Sequence, residues 1–337
     1  MTALFELREQ LKLFYTRYGA IIVRVTRSVL MLVTLLLVDT GMSYMSSISQ
    51  YWLAVVIAVL CGFVPWAATV FIAAFLVIMQ MYAVAVEVAA CVLALCLIFV
   101  CFHYMFRSGQ IWLILVTPLA CFLNMPLVIP VIIGLTGSLA GCVPMIFGIV
   151  MYYLCTFVRS NTTVLASTGS LTSLGRFTQM INGLIGNSKM WFVIAACCVT
   201  LLLVYTIRKL SVDYAWLIAV GVGEMAGLVT FCIGIFGVGV SFSIVEIIVD
   251  GLAAGLAGLL LQFMLFNVDY SRAEYVQFED DDYYYYVKAV PKIAVTRPDL
   301  QVKKINDKKK EDPDELFARR RAEGHAPARK HGSGDRS

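Results

Sequence analysis

The chain has 337 residues, 60% of them hydrophobic and only 14% charged, with a net charge of +4. Soluble domains carry roughly 25% charged residues, so this composition excludes a water-soluble globule, and the small net charge gives no footing for nucleic acid. The charge is also segregated: residues 271–337 hold 15 Lys and Arg and 13 Asp and Glu, against 11 and 9 in the first 270.

Residues 1–27 form the first predicted element. Leu4, Leu7, Leu11, Phe14 and Tyr18 recur every three or four positions, with Glu6, Arg8, Glu9, Lys12 and Arg17 between them. One apolar stripe on a helix that is basic on balance predicts an amphipathic helix at the cytoplasmic membrane interface. No cleavable leader is expected, because charged residues fill the stretch before the first apolar run and that run leads to Asp39–Thr40–Gly41.

From 28 to 267 the sequence is one apolar run after another: Ser28–Ser46, Tyr51–Val64, Ala67–Val86, Val88–Phe106, Trp112–Leu123, Leu127–Ser138, Cys142–Val158, Trp191–Ile207, Ala215–Phe236 and Ile244–Phe266. A bilayer crossing needs about 20 such residues, so this is a transmembrane helical domain with the bilayer as its first partner. Several runs are too short to cross alone. Tyr51–Val64 stops at Pro65, and Trp112–Leu123 is parted from Leu127–Ser138 by Asn124–Met125–Pro126, with Pro118 and Pro130 inside the two pieces. At 1.5 Å per residue, 12 residues cover only about 18 Å of a core about 30 Å thick. Interrupted helices at membrane depth free backbone groups, and transporters use such breaks to hold substrates or ions. Pro65, Pro118, Asn124, Pro126 and Pro130 therefore mark a candidate broken-helix site. A proline-kinked structural helix is the competing explanation.

Lys and Arg placement sets orientation. Arg8, Lys12, Arg17, Arg24 and Arg27, the pair Arg208–Lys209, and the tail from Arg272 onward all favour the cytosol, so both termini are expected there. Every run must then cross or form half of a re-entrant pair, which places Arg107 inside and the Ser-, Thr- and Gly-rich loop 159–189 outside, despite Arg159, Arg176 and Lys189. All ten cysteines lie in apolar runs without metal-ligand spacing and read as free thiols.

Five acids lie in or beside the runs: Asp39, Glu87, Glu224, Glu246 and Asp250. Asp39 and Glu87 sit near run ends and read as interfacial, as does His103. Glu246 and Asp250 are one helical turn apart on the final run, and Glu224 lies in the small-residue stretch Gly221–Gly227 of the run before it. An ionisable group at mid-membrane is costly, so Glu224, Glu246 and Asp250 are the ion-coupling candidates. The alternative places Glu246 and Asp250 near the outer interface or leaves them neutral and hydrogen-bonded.

Residues 268–298 change character. Arg272–Phe278 and Tyr283–Val290 are rich in β-prone residues around the acidic run Glu279–Asp282, predicting a cytoplasmic β-hairpin. Asp213 and Asp269, each in a Val-Asp-Tyr triplet near arginine, together with Arg272, Tyr284 and Tyr286, are expected to dock this hairpin or a cytoplasmic protein partner. Residues 299–337 read as a disordered charged tail with one short helix near 313–322.

The stretch VDYSRAEYVQFEDDDYYYYVKAVPK at 268–292 resembles a signature of multi-pass membrane proteins of clostridia-type Gram-positive bacteria, as do Ser211–Trp216 and the Thr117–Pro118…Pro126…Pro130 region. That resemblance implies a bacterial plasma-membrane location and brings no activity beyond an association with transporter permeases.

The fold class expected is an all-α polytopic membrane protein of about 8–10 transmembrane or half-membrane helices, with a small β-hairpin and a disordered tail. The functional expectation is a transporter or permease component acting on a small molecule or ion. The alternative is a membrane scaffold that recruits a cytoplasmic partner through residues 271–337. No catalytic motif such as HExxH or GxSxG appears, and no cofactor or metal site is expected.

Overall fold

A computed structural model of the chain describes residues 2–42, 44, 50–106, 109–166, 173–210, 214–265, 274–279 and 284–289. The chain divides into two compact units, Met1–Asp269 and Tyr270–Ser337. The described part of the first is all helical: α1 (Thr2–Met42), α2 (Tyr51–Phe63), α3 (Trp66–Tyr82), α4 (Val86–Phe106), α5 (Leu113–Phe122), α6 (Val128–Thr136), α7 (Cys142–Ser160), α8 (Thr162–Ala166), α9 (Ser173–Ile185), α10 (Ser188–Arg208), α11 (Ala215–Val238) and α12 (Ile244–Leu265). In the second unit, the backbone of Glu274–Glu279 pairs antiparallel with that of Tyr284–Ala289, Val276 opposite Val287. Asp213, Asp269, Arg272, Arg107 and the segment 299–337 lie outside the described residues, and only the backbone is described at Tyr284 and Tyr286.

Six helices are long and apolar enough to cross a membrane: Gln10–Thr40 within α1, α4, Leu139–Ser160 covering α7, α10, α11 and α12. Their outward side chains are apolar too. Leu97, Val229, Leu252 and Leu256 are all exposed, which is stable against lipid tails and costly against water. The chain is a multi-pass membrane protein. Helix α1 passes residue 28 without a break, because no Pro or Gly interrupts Ala20–Val38.

Contacts order the helix ends on two faces. Arg27 donates to the Val64 carbonyl and stacks over Trp66, while Gln80 donates to Asp39 at 3.4 Å. So α2 descends along α1 and α3 returns. Val64–Pro65, extended at both residues, makes the turn between them. On the face with Arg27 lie Gln110 and Gly137, since the missing side chains of Gly137 and Gly141 leave room for the Gln110 amide. Arg208 is there also, donating to the carbonyls of Leu135 and Gly137. On the opposite face the Tyr44 hydroxyl meets Thr162 at 2.7 Å, and Arg176 pairs with Glu87 at 3.1 Å. Glu87 and Asp39 are thus placed at helix ends, as the sequence suggested. The loop expected at 159–189 contains α8 and α9 rather than open coil. We call these the Arg27 face and the Glu87 face.

Helices α5 and α6 share one face for both their outer ends. They form a helical hairpin that rises from the Arg27 face and turns back at Leu123–Leu127. Ten and nine residues long, they reach about 15 Å into the bundle. Close approach holds the hairpin there. A Cβ at Gly134 would fall 2.6 Å from Val204 of α10, and one at Gly258 of α12 would fall 3.2 Å from Val131 of α6 and 2.7 Å from Val220 of α11. Leu127, Ile129, Val131 and Ile133 fill the core between these helices and are buried with Ala196, Leu201, Ala219 and Ala254.

Candidate functional site

The hairpin tip is built by its sequence. Asn124 takes a left-handed conformation, φ 57°, which Asn tolerates better than most side chains. The Met125 amide closes back on the Ala120 carbonyl at 2.8 Å, and the Asn124 amide on Cys121. Pro126 then has no amide to offer, and Leu127 is the N-cap of α6. Among the described residues no group donates to the carbonyls of Leu123, Asn124 or Met125.

Leu127 has no side chain able to cap a helix, so the acceptor comes from elsewhere in the chain. Asp250 of α12 takes the Leu127 amide, Oδ1 at 3.0 Å and Oδ2 at 3.3 Å, and is itself 2% exposed. A carboxylate at a helix N-terminus meets an orphan amide and the positive end of the helix dipole. Asp250 therefore locks the tip of the hairpin to α12.

Beside this lock lies a cavity of about 240 Å³, lined by Asn124 and Pro126 of the tip, Tyr152, Tyr153 and Thr156 of α7, Lys189 of α10, and Glu246 and Asp250 of α12, with Phe231 and Phe242. Lys189 and Glu246 stand in the first turns of their helices at the Glu87 face, so the cavity reaches from that face to the tip. Glu246 suits the positive end of α12, whereas Lys189 opposes the dipole of α10. Asn187 caps α10 by accepting from Met190, and the Lys189 ammonium lies 5.8 Å from the Phe242 ring centroid. Lys189 shares the cavity wall with the carboxyl groups of Glu246 and Asp250.

Of the sequence candidates, Glu246, Asp250, Asn124 and Pro126 come together here. Glu246 is exposed in the first turn of α12, whereas Asp250 is buried. Glu224 does not line the cavity. Its carboxylate packs against the bare Cα of Gly255, where a Cβ would sit 3.0 Å from Oε1, and that oxygen is buried without a hydrogen bond. Pro118 lies inside α5 and Pro130 in the first turn of α6, both behind the tip, and Pro65 belongs to the separate α2–α3 turn. Lys189, Tyr152, Tyr153 and Thr156 were missed by sequence reasoning. The signal for the last three was three hydroxyls inside one apolar run. All ten cysteines are free.

No family model, no curated protein and no solved structure is similar to the chain. The resemblance at 268–292 therefore gains no family assignment, and the conclusion rests on the helices themselves: this is a polytopic membrane protein.

Proposed function

We propose that the protein is a transporter-type permease whose permeation site is the cavity at the hairpin tip, and that the site favours small cations. The observation that carries this is the cavity lining: the buried carboxyl of Asp250 and that of Glu246 beside Asn124, whose backbone carbonyl has no donor among the described residues, at a hairpin tip about 15 Å from the Arg27 face. Bare carbonyls at membrane depth are sustained only beside water or a bound polar species. The amide end of α6, which would attract an anion, is already taken by Asp250, while the negative end of α5 faces the tip. Two carboxyl groups, Glu246 and Asp250, stand in the lining against one Lys189.

The positive-inside rule supports a cytosolic Arg27 face, with Arg24, Arg27, Arg208 and Lys209 there, and with both termini on that side. The hairpin would then enter from the cytosol and the cavity open outward, in a bacterial plasma membrane. The test is tracer flux in proteoliposomes, comparing sodium, potassium and proton uptake with chloride. Asp250→Asn and Glu246→Gln should each cut cation uptake at least about tenfold, the effect of roughly 1.4 kcal/mol at the barrier. Wild-type flux no higher than in empty vesicles, for every ion tried, would refute the proposal.

A further inference from the structure

A second, larger cavity of about 440 Å³ lies between α1, α3, α4, α5 and α7, and its character is different. Its wall is apolar, with Phe71, Phe99, Phe122 and Phe147 among the lining residues, and Phe71 and Phe122 are half exposed on the outer surface of the bundle. The chamber is thus open sideways, toward the lipid. Arg159 lines it at the Glu87 face, near the end of α7. The Arg159 side chain is exposed and its guanidinium has neither a hydrogen bond nor an ion pair among the described residues. From Phe147 to Arg159 along α7 is about 18 Å, close to the roughly 15 Å from a bilayer surface to its midplane.

We infer that this chamber is a binding site for one anionic phospholipid of the leaflet at the Glu87 face, with an acyl chain along the phenylalanine wall and the phosphate on Arg159. The chemistry matches at both ends. An apolar cavity of this size gains nothing from water, which needs polar partners, and a hydrocarbon chain restores the lost dispersion contacts. A guanidinium at the interface pairs with phosphate through two parallel N–H donors. Tyr152 and Thr156 line both this chamber and the cavity at the hairpin tip, so the lipid would support the α7 wall of that cavity. The lipid site itself does not depend on transport.

The experiment places the full chain in nanodiscs of phosphatidylglycerol and phosphatidylcholine in equal parts and counts retained lipids by native mass spectrometry. The wild type should keep one phosphatidylglycerol in preference to phosphatidylcholine. Arg159→Gln should weaken that preference roughly fivefold or more, the loss of one charge-assisted contact. Ala74→Phe, which puts a ring into the chamber, should release the lipid whatever its head group. A Phe147→Trp reporter, quenched by lipids brominated along the acyl chain, reads occupancy without disturbing Arg159 or Ala74, and its quenching should exceed that of a lipid-facing Leu252→Trp control at low brominated fraction. Equal retention in wild type and Arg159→Gln would overturn the head-group assignment. Quenching of Phe147→Trp no stronger than the control would overturn the site.

Discussion

Asp250→Ala is the most direct perturbation of the hairpin lock. The wild-type carboxylate is 2% exposed and accepts the Leu127 amide at 3.0 Å. Hydrogen bonds to charged groups contribute about 1.5–3 kcal/mol, and a buried amide left without an acceptor costs about 1–3 kcal/mol. The two figures describe one bond from its two ends and are not summed; with the dipole contribution of about 0.3–2 kcal/mol, Asp250→Ala should cost about 2–4 kcal/mol. Asp250→Asn keeps an acceptor oxygen and loses only the charge, so it should cost about 1–2 kcal/mol by the same reasoning. The assay is equilibrium unfolding in mixed micelles with circular dichroism, alongside amide exchange read at residues 123–131. Asp250→Ala should speed exchange across the tip and Asp250→Asn much less. If the two variants unfolded alike, and exchange at the tip matched wild type in both, the lock would have no energetic content and the reasoning would fail.

Three further outcomes follow from the packing. Gly134→Ala and Gly258→Ala insert a methyl 2.6 and 2.7 Å from valine carbons of facing helices, and each should cost about 1–3 kcal/mol in the same unfolding assay by overpacking. The Glu87–Arg176 pair, 14% and 12% exposed, links α4 to α9; a double-mutant cycle with Glu87→Gln and Arg176→Gln should return a coupling of about 1–2 kcal/mol. Asn124→Cys should react with a membrane-impermeant thiol reagent added at the Glu87 face and be spared when the reagent is added at the Arg27 face, in a background whose native cysteines are replaced by serine or alanine. Labelling only from the Arg27 face would contradict the direction assigned to the hairpin.

Some of this protein was written in one dimension. Apolarity summed over about 20 residues is a property of a segment and not of its neighbours, so α4, α10, α11 and α12 were legible from their runs alone. The break at Asn124–Pro126 was legible too, because proline lacks an amide wherever the chain goes. The ranking of the acids was not. Glu224, Glu246 and Asp250 look alike in sequence, yet one packs on Gly255, one stands near a face, and one accepts from the N-cap amide of a helix, 123 residues earlier in the chain. Lys189 looked like a loop charge until the fold placed it on the wall of one cavity with Glu246 and Asp250. That outcome depends on which helices can approach closely, and approach is set by the small residues Gly134, Gly227 and Gly258 fitting the side chains opposite them. Membrane insertion follows from the chain's own hydrophobicity, segment by segment, whereas the meeting of distant polar groups is a consequence of packing, and only the folded bundle determines it.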